Sequence, residues 1–187
     1  MTTAIQGRNV WLRPVEESDY PLIHRWMNHP EVWRNMDYER PVSLADVTED
    51  VERSYREGRP FTILLGDRPI GRIGLNRFRH RDRICSMYMY VGEPDVWGKK
   101  GYARDAVMTL LAYAFERWDL HQVELWALAD NQRAISLYEK CGFVREAVLR
   151  DRSWKQGAWV DHVVMAARRE AFAAALEAWN AAVPAPA

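Results

Sequence analysis

The chain has 187 residues, 48% of them hydrophobic, which suits one domain with a core of ordinary size and is too apolar for a disordered segment. Its 26 basic and 26 acidic side chains cancel, so no general field draws it to a polyanion, and nucleic acid is not expected as its main partner. No apolar run approaches a membrane span, Met1 to Asn9 lacks the hydrophobic region of a signal peptide, and the five histidines show no metal-site spacing, so a cytoplasmic protein without membrane contact or bound metal is expected.

In chain order, Asn9 to Arg13 reads as a strand. Ser18 is placed to cap a helix running to about Asn28, with Tyr20, Ile23, Trp26 and Met27 at helical spacing. Pro30 to Met36 reads as a loop or short turn, and Ser43-Leu44-Ala45-Asp46 opens a more polar helix that ends near Gly58. Phe61 to Leu65 and Ile70 to Arg79 form a hairpin around Gly66-Asp67. Ile84 to Val91 is a third successive strand, after a charged turn at His80 to Arg83. The arginines at 77, 79, 81 and 83 read as a solvated hairpin tip rather than a polyanion contact.

A central helix follows from Gly101 to Trp118, with Ala103, Ala106, Val107, Leu110, Leu111, Ala114 and Phe115 on one apolar stripe. Gln122 to Leu128 is the next strand, so strand–helix–strand order implies a parallel pair with a right-handed crossover. Asp130 or Asn131 caps a further helix that Gly142 stops, with Ala134, Leu137, Tyr138 and Cys141 on one face. Phe143 to Arg150 and Ala158 to Ala167 form a long hairpin. Arg168 to Ala182 is an Ala-rich amphipathic helix whose Phe172, Leu176 and Trp179 must be covered, by the chain's own body or, in a homodimer, by a second copy; docking on the same chain is favoured. The tail 183–187 is expected to be loose. The fold class is α/β: a mixed sheet of about seven strands with helices on both faces.

The segment Trp97-Gly98-Lys99-Lys100-Gly101-Tyr102-Ala103-Arg104-Asp105-Ala106 joins the apolar strand to the central helix. The first N–H groups of a helix lack intrahelical partners and carry the positive end of its dipole, and glycines let the backbone approach a ligand closely. Such a helix start suits phosphate or pyrophosphate; a solvated Gly-containing loop is the plainer reading. Downstream, Asn131 and Tyr138 are seven residues apart and share nearly one helical face.

These two segments together resemble the acetyl-CoA-binding motif and the following strand–helix motif of the GNAT superfamily of N-acetyltransferases. The branch most similar is that of the ribosomal-protein N-terminal acetyltransferases, through Leu12-Arg13-Pro14, Asp19, Trp26, Asn28-His29-Pro30-Glu31-Val32 and the hairpin from Leu149-Arg150 to Asp161. The resemblance spans about residues 8–167, which makes that stretch the catalytic domain, 168–182 an added helix and 183–187 a tail. It implies splayed parallel strands with acetyl-CoA, the cosubstrate, lying in the gap. Gly98, Lys99, Lys100, Gly101, Tyr102 and Ala103 would then hold the pyrophosphate, with Gly98 standing where Gln or Arg is usual. Backbone groups of Met89, Tyr90 and Val91 would pair with the pantetheine amides, Asn131 would touch the cofactor arm, and Tyr138 would be the general acid to the leaving thiolate.

The resemblance leaves the base open. Many relatives carry Glu in the strand before the loop, where this chain has Ser86; Glu93, Asp95, Asp161, His162 and an ordered water are the alternatives. Cys141 reads as a small core residue more than as a nucleophile. Trp26, Trp33, Tyr88, Trp154 and Trp159 lie in elements that border the acceptor groove in the family, although core packing is favoured for each. The expected activity is acetyl transfer to an amine, either a protein N-terminus or a small molecule. The alternatives are transfer of a bulkier acyl group such as succinyl, and a catalytically silent CoA-binding protein.

Overall fold

Short apolar segments separated by turns give this chain a succession of antiparallel ladders, and a computed structural model, which describes residues 4–36, 41–98 and 100–182, joins them in one sheet. The strands are β1 (Ile5–Gln6), β2 (Trp11–Pro14), β3 (Arg59–Leu65), β4 (Arg68–Arg79), β5 (Ile84–Val91), β6 (Gln122–Leu128), β7 (Phe143–Lys155) and β8 (Ala158–Arg168). Their order across the sheet is β1-β2-β3-β4-β5-β6-β8-β7, and every neighbouring pair is antiparallel except β5 with β6. The eighth strand is β1, two residues long and therefore too short to leave a periodic signal in the sequence.

Alternation along β5 divides the core in two. Cys85 and Met87 face one side, where they pack with Val107, Leu110 and Leu111 of α4 (Tyr102–Ala112) and Ile135 of α5 (Gln132–Glu139). Tyr90 faces the other, with Ile23 and Trp26 of α1 (Tyr20–Met27), Val32 of α2 (Pro30–Trp33), and Val47 and Val51 of α3 (Leu44–Glu57). Helices thus cover both faces. No helix among the described residues is long and apolar enough to cross a membrane.

The parallel pair is joined over three registers only, Ile84↔Gln122, Cys85↔Val123 and Ser86↔Glu124. Beyond Ser86 each strand stays with its antiparallel neighbour, β5 with β4 as far as Gly71↔Val91 and β6 with β8 as far as Leu128↔His162. The two ladders therefore part, leaving the facing edges of β5 and β6 free of each other.

The structure corrects several expected boundaries. Ser18 is not the first cap: a 3-10 turn over Glu17–Asp19 precedes α1, and Glu16 and Asp19 form its capping box. Asp19 also reaches back to Arg13 at 2.9 Å, a partner on a strand that helical periodicity cannot reveal. Within the loop or short turn expected from Pro30 to Met36, Pro30 to Trp33 forms a one-turn helix with His29 as its cap. The central helix widens after Ala112 into a π-helical turn, Tyr113–Arg117. The last hairpin is longer than its apolar pattern, because β7 is an edge strand that is mostly exposed beyond Phe143. Ser43 does cap α3, accepting from the Asp46 N–H at 3.2 Å.

The C-terminal helix α6 (Arg169–Ala181) docks on its own chain. Phe172 is buried, its ring 5.3 Å from that of Phe115. The approach requires Gly142, whose φ is +90° and where a Cβ would meet the Ala171 carbonyl oxygen at 2.7 Å. At the far end of α6, Trp179 lies against the guanidinium groups of Arg8 and Arg104, each 4.4 Å from its ring. The tail 183–187 lies outside the described residues.

Candidate active site

A cavity of about 920 Å³ occupies the opening between β5 and β6. It is lined from β5 by Ser86 through Val91, from β6 by Leu125 through Leu128, and at its ends by the loop before α4, by α5, and by residues of α2, β8 and α6. Among the sequence-predicted residues, Met89, Tyr90, Val91, Gly98, Gly101, Tyr102, Ala103, Asn131 and Tyr138 all line it. Lys100 is exposed and does not, and Lys99 lies outside the described residues.

The loop is held by local chemistry. The Trp97 indole donates to the Val91 carbonyl at 2.8 Å, fixing the loop to the end of β5. Gly98, Lys100 and Gly101 all have left-handed φ, +71°, +46° and +71°, so the chain winds tightly into the helix. Gly101 is the N-cap of α4 and has no side chain with which to cap it. The acid in the first turn, Asp105, turns elsewhere: its carboxylate accepts from the N–H groups of Arg8, Asn9 and Val10 at 3.0, 2.6 and 3.1 Å. The helix start is thereby anchored to the β1–β2 turn and left without a side-chain cap, the arrangement that favours an anion. Arg104, Arg133 and Lys140 add positive charge along the same end of the cavity. Nothing in the sequence signals that these three cations converge with Trp179, because they come from three different helices or their ends.

Asn131 caps α5, its side-chain oxygen accepting from the Ala134 N–H at 3.1 Å. Two turns on, the Tyr138 ring packs 5.7 Å from Phe143, and burial pushes the phenol pKa up to about 12. Cys141 is fully buried with its thiol pushed up to about 12 by burial, which suits packing and not nucleophilic attack.

The candidate bases separate clearly. Glu93 accepts from the Trp26 indole at 2.7 Å and from Arg25 and Arg68; burial works to raise its pKa, but these donors outweigh it and hold the carboxyl below its usual range. Asp95 is bound to Arg68 at 2.8 Å. Asp161 accepts from the Asp151 N–H at 2.9 Å. None of these three lines the cavity, whereas Ser86 and His162 do.

Of the five aromatics expected near an acceptor groove, Tyr88 alone lines the cavity. Trp26 is core, and Trp154 and Trp159 pack on each other at 5.4 Å on the exposed hairpin. The wall is instead completed by Trp126, 43% exposed, with the guanidinium of Arg77 at 5.0 Å from its ring. Trp126 stands at a polar-face position of β6, a signal that strand alternation alone offered. A second cavity of about 330 Å³ continues under α3, sharing Met36, Asn76, Arg77, Tyr88 and Tyr90 with the first. Its buried Arg72 donates to Asp50 at 2.5 Å and to Ser54 at 2.9 Å.

Comparison with known proteins shows the family and the fold. Residues 9–144 match the model of the acetyltransferase (GNAT) domain. The spermidine N(1)-acetyltransferase of Vibrio cholerae is 27% identical over 154 residues, which cover 80% of this chain and 87% of that protein. The crystal structure of the V. cholerae spermidine N-acetyltransferase in complex with CoA and spermine has a TM-score of 0.81 at 24% identity, covering 88% of this chain and 98% of that one. RimL, a ribosomal-protein acetyltransferase in complex with coenzyme A, shares the fold at a TM-score of 0.80 and 16% identity, covering 90% of this chain and 99% of its own.

Proposed function

Since this chain belongs to the GNAT acetyltransferase family, we propose that the opening between β5 and β6 holds acetyl-CoA and that an amine acceptor enters from the α1–α3 side. The observation that carries this reading is the end of parallel pairing at Ser86, which leaves the β5 edge through Val91 open to another hydrogen-bonding chain. The uncapped start of α4 and the loop from Gly98 to Ala103 suit the pyrophosphate, with Arg104, Arg133 and Lys140 close to the phosphate end. Met89, Tyr90 and Val91 offer backbone groups to the pantetheine amides, and Asn131 borders the same arm.

Acetyl-CoA supplies an activated acyl group. This chain's residues orient it, exclude water and move protons. Tyr138, kept a phenol by its burial, donates to the sulfur as the carbon–sulfur bond breaks. Buried Cys141 offers no competing thiolate, which favours direct transfer to the amine.

The acceptor side is balanced in charge. Glu31, Asp50 and Glu57 are offset by Arg53, Arg72 and Arg77 among the residues that line the two cavities there. Among the described residues a polyamine finds no net negative wall, so a singly charged amine, either a small molecule or a peptide N-terminus, fits better. The test is release of CoA thiol from acetyl-CoA over a panel of polyamines, small monoamines and N-terminal peptides, with the acetylated product identified by mass spectrometry. Turnover is expected with a monoamine or peptide and weak turnover with spermidine. Thiol release that no amine accelerates would contradict the activity, and a preference for spermidine would contradict the acceptor class.

A further inference from the structure

An amine in neutral water is mostly an ammonium ion, with a pKa near 8 for an α-amino group and about 10 for a lysine-type amine. It has no lone pair with which to attack until a base removes one proton. Ser86, which lines the cavity where the parallel pairing ends, lacks a carboxylate. Resting on the acetyl-transfer reading above, we infer that His162, a histidine buried in the last strand pair and bordering the cavity, is the base that deprotonates the acceptor amine.

Among the described residues that line the cavity, Glu31 and His162 alone carry a basic lone pair and are neither a cation nor a phenol. Glu31 sits at the mouth, with its side chain 53% exposed and 3.7 Å from the Arg34 guanidinium. His162 is held on a rigid strand, opposite Leu128 of β6 and Leu149 of β7, and is 3% exposed. Its Nε2 lies 2.9 Å from the Ser153 hydroxyl. Its Nδ1 is buried and has no hydrogen-bond partner among the described residues. A ring fixed at one nitrogen with the other unpaired is uneconomical for a packing residue and is what a base awaiting a proton requires. When Nε2–H donates to Ser153, the lone pair belongs to Nδ1.

The charged groups on the neighbouring elements leave the ring free to act. On β7 they are Arg150, Asp151 and Arg152, in the irregular stretch between Leu149 and Ser153. On β8 the adjacent Asp161 is taken by the Asp151 N–H. The facing end of β6 carries no charge at Trp126, Ala127 or Leu128. From the other walls of the cavity come Glu31, Tyr88, Tyr90, Tyr102 and Tyr138, with Arg77 over the Trp126 ring and Arg104, Arg133 and Lys140 toward the loop before α4.

The protons balance. Once the bound acceptor displaces the side chains that cover the ring, Nδ1 of His162 takes one proton from the ammonium, directly or through one water. The amine nitrogen then bonds to the acyl carbon and the carbon–sulfur bond breaks. Tyr138 gives its proton to the sulfur and recovers one from the nitrogen as the amide forms. His162 returns its proton to solvent, so ammonium and thioester become amide, thiol and one released proton.

The test is the pH dependence of kcat/KM for the best acceptor found in the panel. Wild type is expected to show an acidic limb. His162→Gln is expected to lose on the order of 10²- to 10⁴-fold in kcat/KM, to keep its affinity for CoA, and to lose that limb. Ser153→Ala, which alters positioning only, is expected to move the limb without removing it, and Glu31→Gln to leave it in place. A folded, CoA-binding His162→Gln protein with the wild-type limb and a rate within threefold would overturn the inference, as would loss of the limb in Glu31→Gln. Should the substitution prevent folding, the ring nitrogens of His162 in the wild type can be followed by NMR: a neutral ring with its proton on Nε2 is expected, and a proton on Nδ1 would overturn the assignment. A wild type that binds CoA but acetylates no amine would overturn the acetyl-transfer reading itself, and the role of His162 with it.

Discussion

Single residues show how far spacing alone can go. The seven-residue separation of Asn131 and Tyr138 put them on one helical face, the family resemblance marked them as site residues, and the structure has both bordering one cavity. Tyr138→Phe is expected to keep acetyl-CoA affinity and packing while turnover falls by a factor on the order of 10 to 10⁴, read by steady-state kinetics at saturating acceptor. Burial pushes the Tyr138 phenol up, so it is expected to stay protonated throughout the neutral range, and a loss of rate between pH 8 and about 10 is expected from another group. Asp19 was legible only as an acidic helix start. Its partners, Arg13 at 2.9 Å and the Thr62 hydroxyl at 2.7 Å, come from two strands and could not be read from helical spacing. Burial raises the Asp19 carboxyl, but the donors outweigh it and hold its pKa below the ordinary value. A depressed folded pKa gives stability that is full above the unfolded value of about 3.9 and is lost as pH falls through the folded value. Asp19→Asn is therefore expected to cost about 1–3 kcal/mol at neutral pH and to flatten the acid side of a denaturation series.

At the scale of elements, periodicity found the long helices and missed the short devices that start them. The α3 cap was readable because Ser43 and Asp46 stand three apart in one segment. The α1 start was misread because Glu16, not Ser18, begins the helical path. The loop before α4 was readable from its glycines, while the burial of Asp105 under the β1–β2 turn was not, since its three donors lie almost a hundred residues away. Gly101→Val places a branched side chain at φ +71°, 3.4 Å from the Trp179 ring. CoA affinity is expected to fall at least about tenfold by calorimetry, through loss of the loop's shape. The apolar stripe of α6 was legible, but what covers it was not. With Phe172 on Phe115, Phe172→Ala is expected to cost about 3–5 kcal/mol in chemical denaturation, whatever the protein concentration. A stability that depends on concentration would place a second copy on that face.

For the whole molecule, the order of elements announced a mixed sheet with one parallel pair, because a helix separates β5 from β6. Where that pair stops was not legible: Met87 to Val91 is as apolar and as strand-like beside an open edge as beside a paired one. The opening arises only because β4 holds β5 and β8 holds β6 along their full lengths. The central claim is that this opening takes the pantetheine arm as an added strand. A crystal structure of the protein with CoA tests it most directly. The expected result is pantetheine amides bonded to backbone groups of β5 between Met89 and Val91, with the pyrophosphate at the N–H groups that follow Gly101. CoA bound elsewhere, with the β5 edge untouched, would contradict the account.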